Sequence, residues 1–287
     1  MNRRKHEINE IRVKRRNLPK GANRDFYHRL LVMPWGQLIF YFGMTYLVLN
    51  LIFALLYYPQ LDGVAHTQPG SFRHAFFFSV QTLSTIGYGA MYPESLWANF
   101  IASIESFVGL ISAAMFTGLA FAKFSRPTAK VLFSKNALIT EHDGKKVLLF
   151  RIANIRMNQI IDASVSLLLL KREVTKEGIQ MVRLVPLELS RSRSPVFSMS
   201  WLVTHELDES SPLQNWDQEE FKKNKGELIA TLHGTDGTLS QTVHSQYYYR
   251  AEDLHWGGQF KDIIFIEEDD SRILDLKDFH KIKKEYS

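Results

Sequence analysis

Residues 84–89 read "STIGYG". Two glycines flank a tyrosine, in backbone nearly free of bulky side chains. The segment just before it, "FFFSVQTLS" (76–84), is apolar enough to be a buried helix. Gly-rich backbone after a buried helix has a use only if something must approach that backbone, so the flanks decide its meaning. On both sides lie long apolar stretches. "LIFYFGMTYLVLNLIFALLYY" (38–58) contains no charge, and "WANFIASIESFVGLISAAMFTGLAFA" (97–122) contains only Glu105. About 20 helical residues at ~1.5 Å each cross a ~30 Å hydrocarbon core. Both stretches are therefore expected to span a membrane, over 38–58 and 97–123. The first is too long, and too far along the chain, for a cleaved signal peptide.

Between the spans lies "PGSFRHAFFFSVQTLSTIGYGAMYP" (69–93). Pro69 and Gly70 predict a turn, Ser71 a helix cap, and 72–83 a helix of about three turns. That helix is too short to cross a bilayer. A short apolar helix followed by Gly-rich backbone describes a re-entrant loop, and irregular backbone at membrane depth survives only when buried in protein or lining water. Residues 85–89 are thus expected to face a pore. Stripping water from a cation needs a cage of oxygens, and backbone carbonyls supply one if successive residues turn C=O the same way. Alternating backbone handedness does this, and Gly87 and Gly89 permit it. Thr85 adds a hydroxyl, and Tyr88 a ring to brace the strand.

The whole chain has 287 residues, net charge +5 and mean hydropathy -0.15. That average hides the split between residues 36–122 and the ordinary globular composition that follows. Absence of cysteine rules out disulfides and thiolate metal sites. Residues 1–20 carry eight Arg/Lys against two Glu. Arg24 and Arg29 precede span one, Lys123, Arg126 and Lys130 follow span two, and the loop between holds only Arg73, so both termini are expected in the cytoplasm. "RDFYHRLLVMPWGQL" (24–38) reads as a short interfacial helix that Pro34 separates from span one.

From 131 onward, short β-rich runs such as "VLLFRIAN", "FSMSWLVTHEL", "GELIATLHG" and "KDIIFIEED" follow one another. Asp143-Gly144 and Asp236-Gly237 mark turns between some of them. This predicts an all-β sandwich. His205, His233, His244 and His255 lack metal-site spacing and read as structural or surface histidines. "SRSRSP" (190–195) reads as a solvated or interface turn too short for nucleic acid, and 277–287 as a charged tail. No cofactor, nucleic-acid partner or catalytic constellation is expected.

Filter-like "TIGYG", two spans and a large C-terminal domain resemble the inward-rectifier potassium channels, in particular their bacterial KirBac members. The resemblance extends through "AKFSRPTAKVLFS" (122–134), "SPVFSMSWLVTHELDESSPL" (194–213) and "HGTDGTLSQTVHSQYYY" (233–249). The potassium-filter string TVGYG differs from this one by one methylene, at Ile86. The resemblance implies an α-helical membrane pore domain with a C-terminal immunoglobulin-like β-sandwich, assembled as a C4 homotetramer. Its expected divisions are 1–35 (cytoplasmic N-terminus and interfacial helix), 36–125 (pore domain) and 126–287 (cytoplasmic regulatory domain). K+ is then held by the carbonyls of the filter residues Thr85, Ile86, Gly87, Tyr88 and Gly89. Gly109 matches a hinge of the inner helix and Gly118 a second flexible point. Phe121 matches the gate, two turns below Ala113 on nearly one face. Thr238, Leu239, Ser240, Gln241 and Thr242 match a loop that narrows the cytoplasmic pore. Arg29, Lys123, Arg126 and Lys130 form the candidate site for anionic lipids.

Three positions depart from relatives. Ala113 replaces the pore-facing acid of strong rectifiers, which implies weak block by Mg2+ or polyamines. Gln81 and Met91 replace a Glu and an Arg that pair behind the filter in eukaryotic members. Glu105 is left as a buried acid without an assigned partner. The resemblance implies a multi-pass protein of a bacterial inner membrane, and a voltage-gated channel is the expected gating class. The competing reading is a membrane-anchored sensor whose β-domain does the work.

Overall fold

The chain's apolar stretches and its β-rich runs fold separately. The structure, a computed structural model, describes residues 25–126 and 129–283, and its contacts part into two units at Arg126/Pro127.

The first unit is helical: α1 (Phe26–Val32), α2 (Trp35–Tyr57), α3 (Phe72–Leu83) and α4 (Leu96–Phe124). The Asp25 side chain caps α1 by accepting from His28 N at 2.9 Å. Met33 and Pro34 end α1, since both adopt extended ψ values, 139° and 146°. α2 and α4 have 23 and 29 residues, enough to cross a bilayer. Ser71 occupies the N-cap of α3, but its side chain makes no capping bond. Its carbonyl instead accepts from His74 N and Ala75 N. Phe53, Tyr57, Leu61, Phe78, Leu83 and Ile101 form the core between α2, α3 and α4.

The second unit is built from β1 (Val131–Phe133), β2 (Ala137–His142), β3 (Lys145–Asn154), β4 (Ile160–Val174), β5 (Gln180–Leu187), β6 (Arg193–Phe197) and β7 (Ser200–Glu206). A short helix, α5 (Gln218–Lys223), follows. Then come β8 (Glu227–Asp236), β9 (Gln241–Tyr249), β10 (Leu254–Trp256), β11 (Gln259–Phe260), β12 (Ile264–Ile266), β13 (Arg272–Leu274) and β14 (Ile282–Lys283). One five-stranded sheet runs β1-β3-β2-β10 with β7 also on β3, the other five-stranded sheet runs β5-β4-β8-β9 with β6 also on β4, and β11 with β14 and β12 with β13 form two-stranded pairs. Pairing is antiparallel except for β2 with β10. Leu148, Phe150, Ile152 and Val203 of the first sheet share one core with Val165, Leu167, Leu169, Leu228, Ala230 and Leu232 of the second.

Asp143 and Gly144 both have positive φ, 51° and 73°, and close the β2–β3 hairpin between His142 and Lys145. Three expectations need correction. "FSMSWLVTHEL" is not one strand: β6 ends at Phe197 on the β4 sheet, while β7 begins at Ser200 on the β3 sheet. The turn expected at 190–195 has already become strand at Arg193. Nor is the described part of the last segment, 277–283, a plain charged tail; residues 284–287 lie outside the described residues. Phe279 is fully buried with Ala153 and Ile263, and Ile282 pairs with Phe260. Apolar residues spaced among lysines anchor it, a pattern that charge counting obscures.

Candidate functional site

The site begins where α3 ends. Ser84 N donates to Val80 O (3.2 Å), Thr85 N to Thr82 O (3.0 Å) and Ile86 N to Gln81 O (2.9 Å), so the chain leaves the helix on a fixed heading. Thr85, Gly87 and Gly89 then have φ of 55°, 58° and 78°. Left-handed backbone at every second residue turns successive carbonyls toward one side. Two of the three positions are glycine, where this costs nothing sterically. Thr85 was not foreseen, because a threonine gives no sign of a left-handed conformation. Tyr88 is 73% exposed in the single chain.

Both ends of this stretch are tied down. At its start, Tyr46 of α2 bonds the Ser84 hydroxyl at 2.6 Å. At its end, His66 Nδ1 lies 2.8 Å from Ala90 O, and Ala65 N donates to Tyr92 O at 2.8 Å.

Glu105 has the partners that sequence left unassigned. Its carboxylate accepts from Tyr57 Oη (2.7 Å) on α2 and from Ser79 Oγ (2.5 Å) on α3. Ser79 Oγ also lies 3.1 Å from Asn50 Oδ1, and Asn50 donates to Tyr46 O at 2.8 Å. Asn50, Ser79 and Glu105 are all fully buried. An isolated acid at this depth is costly, and these donors offset that cost. The network links α2, the short helix and α4.

At Gly109, expected as a hinge, the structure shows a local packing role. A Cβ built there would lie 2.2 Å from the Leu83 carbonyl, so glycine is what lets α4 touch the end of α3. At Gly118 a Cβ would meet nothing within 4 Å. α4 is continuous through both. Ala113 and Phe121 are exposed on α4, Phe121 at 72%, and Thr117 lies between them at four-residue spacing. Sequence reading passed over Thr117, whose hydroxyl donates to Ala113 O at 2.9 Å.

The basic residues divide by role. Lys123 Nζ donates to Leu31 O (2.8 Å) and Met33 O (2.5 Å) and sits 5.5 Å from the Trp35 ring, tying the end of α1 to α4. Arg126 and Lys130 are exposed. In the second unit, Thr238, Leu239 and Ser240 form the β8–β9 hairpin loop, while Gln241 and Thr242 belong to β9 and pair with Asp236 and Thr235. Asp236 Oδ1 accepts from Thr238 N (2.9 Å) and Leu239 N (3.1 Å), and its Oδ2 from Arg156 (2.9 Å). Burial pushes the Asp236 carboxyl up, but the bonds from Thr238, Leu239, Asn158 and Arg156 prevail and hold it below the usual carboxylate value.

Two membrane-length helices flank a short helix and a loop of alternating handedness, followed in the chain by a β-rich domain. This defines a two-span, channel-type membrane protein. Residues 131–286 match the inward rectifier potassium channel C-terminal domain, and residues 35–126 match the ion channel family model. An inward rectifier potassium channel, Kirbac3.1 of Paramagnetospirillum magnetotacticum, is 41% identical over 92% of this chain and 89% of its own. Inward rectifier potassium channel 18 of Homo sapiens is 29% identical over 90% of this chain, which spans 64% of that longer relative. Among solved structures, a DNA glycosylase of Pseudomonas fluorescens aligns at a TM-score of 0.21 and 10% identity over 65% of this chain and 49% of its own, too weak to carry an argument. The chain belongs to the inward-rectifier potassium channels, a family of ion channels and not of enzymes. The expectation of a voltage-gated channel is corrected by this membership. Neither membrane-length helix carries the arginine row that a voltage sensor needs: α2 has no charge, and α4 has only Glu105 and Lys123.

Proposed function

We propose that the chain conducts K+ passively through a filter made by the carbonyls of Thr85, Ile86, Gly87 and Tyr88, with Gly89 completing the turn. The carrying observation is the positive φ at Thr85, Gly87 and Gly89. One such stretch cannot surround an ion, so four copies close around an axis as a C4 homotetramer. The experiment is K+-selective flux from purified protein in liposomes. Gly87→Ala, strained at φ +58°, should abolish selective flux. Retained K+ over Na+ selectivity in that variant would overturn the filter assignment.

Control follows from the ends of α4. Phe121, exposed at the helix end, closes the pore by steric and dewetting effects. Flux unchanged in Phe121→Ala would count against this. Gly118, with open space around it, leaves room for the helix to bend there. The uncharged Ala113 leaves Mg2+ and polyamines without an attractive ring, so block is weak and Ala113→Asp should strengthen it. Strong wild-type block by spermine would sink that reading.

Thr238 to Thr242 narrow the cytoplasmic part of the pathway, and the β-domain is immunoglobulin-like. Arg126 and Lys130, with Arg29, draw anionic lipid headgroups, each worth about 1 kcal/mol near a charged surface. An undiminished response to phosphoinositide after neutralising Arg126 and Lys130 would reduce them to topological anchors. The protein sits in a bacterial inner membrane with both termini inside, as the Lys/Arg asymmetry supports.

A further inference from the structure

On the second sheet, β8 and β9 present alternate residues to opposite sides. Leu228, Ala230 and Leu232 point into the core, while His233 is exposed; across the ladder, Val243 is buried and His244 exposed. His233 and His244 are direct register partners. Their ring centroids are 6.3 Å apart and their planes inclined by 33°. We propose that this pair binds a transition-metal dication of the Zn2+, Ni2+ or Cu2+ class.

The geometry suits chelation. Directly opposed residues of an antiparallel pair hold their Cβ atoms ~4.5–5.5 Å apart. Two imidazole nitrogens that each sit ~2.0–2.1 Å from one metal lie within roughly 4 Å of each other. The rings reach that separation by turning about their own side-chain bonds, without moving the strands. The backbone beneath is firm. Gly234, next to His233, is so close to β4 that a Cβ there would come within 2.6 Å of Ile160 Cγ2 and 3.1 Å of Ala163 Cα.

The surroundings favour a neutral nitrogen site. Neighbouring register pairs on the same face are Thr231 with Gln246 and Thr235 with Thr242, and on β4 the partner of His233 is Ser164. None carries a charge that would pair with an imidazole. Among the described residues no group of three His, Cys, Asp or Glu gathers to hold a metal, so water fills the remaining coordination positions. The site is therefore open and reversible, unlike a structural zinc centre. Imidazole suits Zn2+, Ni2+ and Cu2+, whereas Mg2+ prefers oxygen ligands.

A metal there would staple β8 to β9 just below the hairpin whose loop is Thr238–Ser240. Binding stands on the histidines alone. Its effect on flux rests on the proposed role of that loop.

The test uses the full chain in detergent, free of any affinity tag and stripped with chelator, titrated calorimetrically with ZnCl2, NiCl2 and, as control, MgCl2. Zn2+ and Ni2+ should bind and Mg2+ should not compete. His233→Ala and His244→Ala should each weaken the strongest site by about tenfold or more, at least the loss that removing an outer-shell partner of a metal site brings. Both positions are exposed, so the variants should melt as the wild type does. Isotherms of both variants that match the wild type would overturn the site, and assign any binding to other histidines. Liposome flux then separates the two claims. Zn2+ should change K+ flux in the wild type but not in the variants. Lost binding with flux indifferent to Zn2+ would keep the metal site and discard the narrowing role of the loop.

Discussion

The two units both have an apolar core but differ in what they leave outside. In the β-domain the shared core is apolar, with Leu148, Phe150, Leu167 and Leu169 almost or fully out of contact with solvent. In the helical unit Asn50, Ser79 and Glu105 are fully buried beside the apolar core, while Phe40, Leu55, Leu110 and Met115 lie on the outside. A water-soluble protein could not leave so much apolar surface exposed without penalty. In a bilayer, the outer residues meet lipid or neighbouring copies, and hydrogen bonds inside carry the specificity. Both cores are apolar, but between helices in lipid the hydrophobic drive is missing, so the helical unit relies more on close backbone contact and on its satisfied polar network. Substitutions should therefore hurt the two units for different reasons.

The largest effect should come from backbone contact. Gly109→Val places carbon where the Leu83 carbonyl would be 2.2 Å away. Either α4 moves or the end of α3 does. K+ flux in liposomes should be lost. Gly118→Ala, with nothing within 4 Å, should conduct. If the two variants behave alike, the glycines act through helix flexibility and not through the contact with Leu83.

Next comes the polar network. Glu105→Leu leaves Tyr57 Oη without its acceptor and Ser79 Oγ with only Asn50 Oδ1 at 3.1 Å. An orphaned buried polar group costs about 1–3 kcal/mol, so the variant tetramer should dissociate at a lower temperature. Tyr57→Phe removes only one donor and should cost less. The double variant should lose less than the sum of the two, because both act through one bond. Strict additivity would mean that Tyr57 and Glu105 do not act as a pair.

Sequence made the helical unit legible and left its fastenings hidden. The limits of α3 could be read from Pro69-Gly70 before it and the glycines after it. The spans could be read from missing charge. Glycines at 87 and 89 announced the alternating backbone, but Thr85 did not, because its strain is imposed by the bonds that Thr82 and Gln81 accept. The partners of Glu105 are 26 and 48 residues away in sequence, and no local pattern connects them. In the β-domain, Asp143-Gly144 marked a hairpin because local chemistry suffices there. The sheet change between Phe197 and Ser200 was missed because alternation continues across it while the pairing partner changes.

A smaller effect is expected at the β8–β9 loop. The Asp236 side chain is 3% exposed and accepts from Thr238 N, Leu239 N and Arg156. Asp236→Asn keeps the shape but weakens bonds that gain from the charge, which should lower the melting temperature of the full chain. The sign of the pH dependence follows from the depressed carboxyl. The folded state holds this group ionised more readily than the unfolded chain does. Its contribution is thus complete above the unfolded value of ~3.9 and disappears as pH falls through the lower folded value. Wild type and variant should differ at neutral pH and converge in acid. A gap that widens on acidification would contradict the assignment.

The smallest effect belongs to an ion pair that looks as good on distance alone. Lys145 Nζ lies 2.7 Å from Glu206 Oε2, closer than Arg156 to Asp236 at 2.9 Å. Yet the Lys145 side chain is 62% exposed. Water screens the pair, and holding a long lysine chain in one rotamer offsets much of the Coulomb gain. The strands that carry Lys145 and Glu206 are also joined by the ladder itself, since Val147 pairs with Glu206 and Leu148 with His205 through the backbone. Lys145→Ala should therefore melt within the scatter of repeated wild-type measurements, and added salt should not change that result. If it lowered the melting temperature as much as Asp236→Asn does, and salt abolished the difference, then exposure would be the wrong criterion for ranking this domain's charges. The Lys145–Glu206 bond would then count among the contacts that hold β3 against β7.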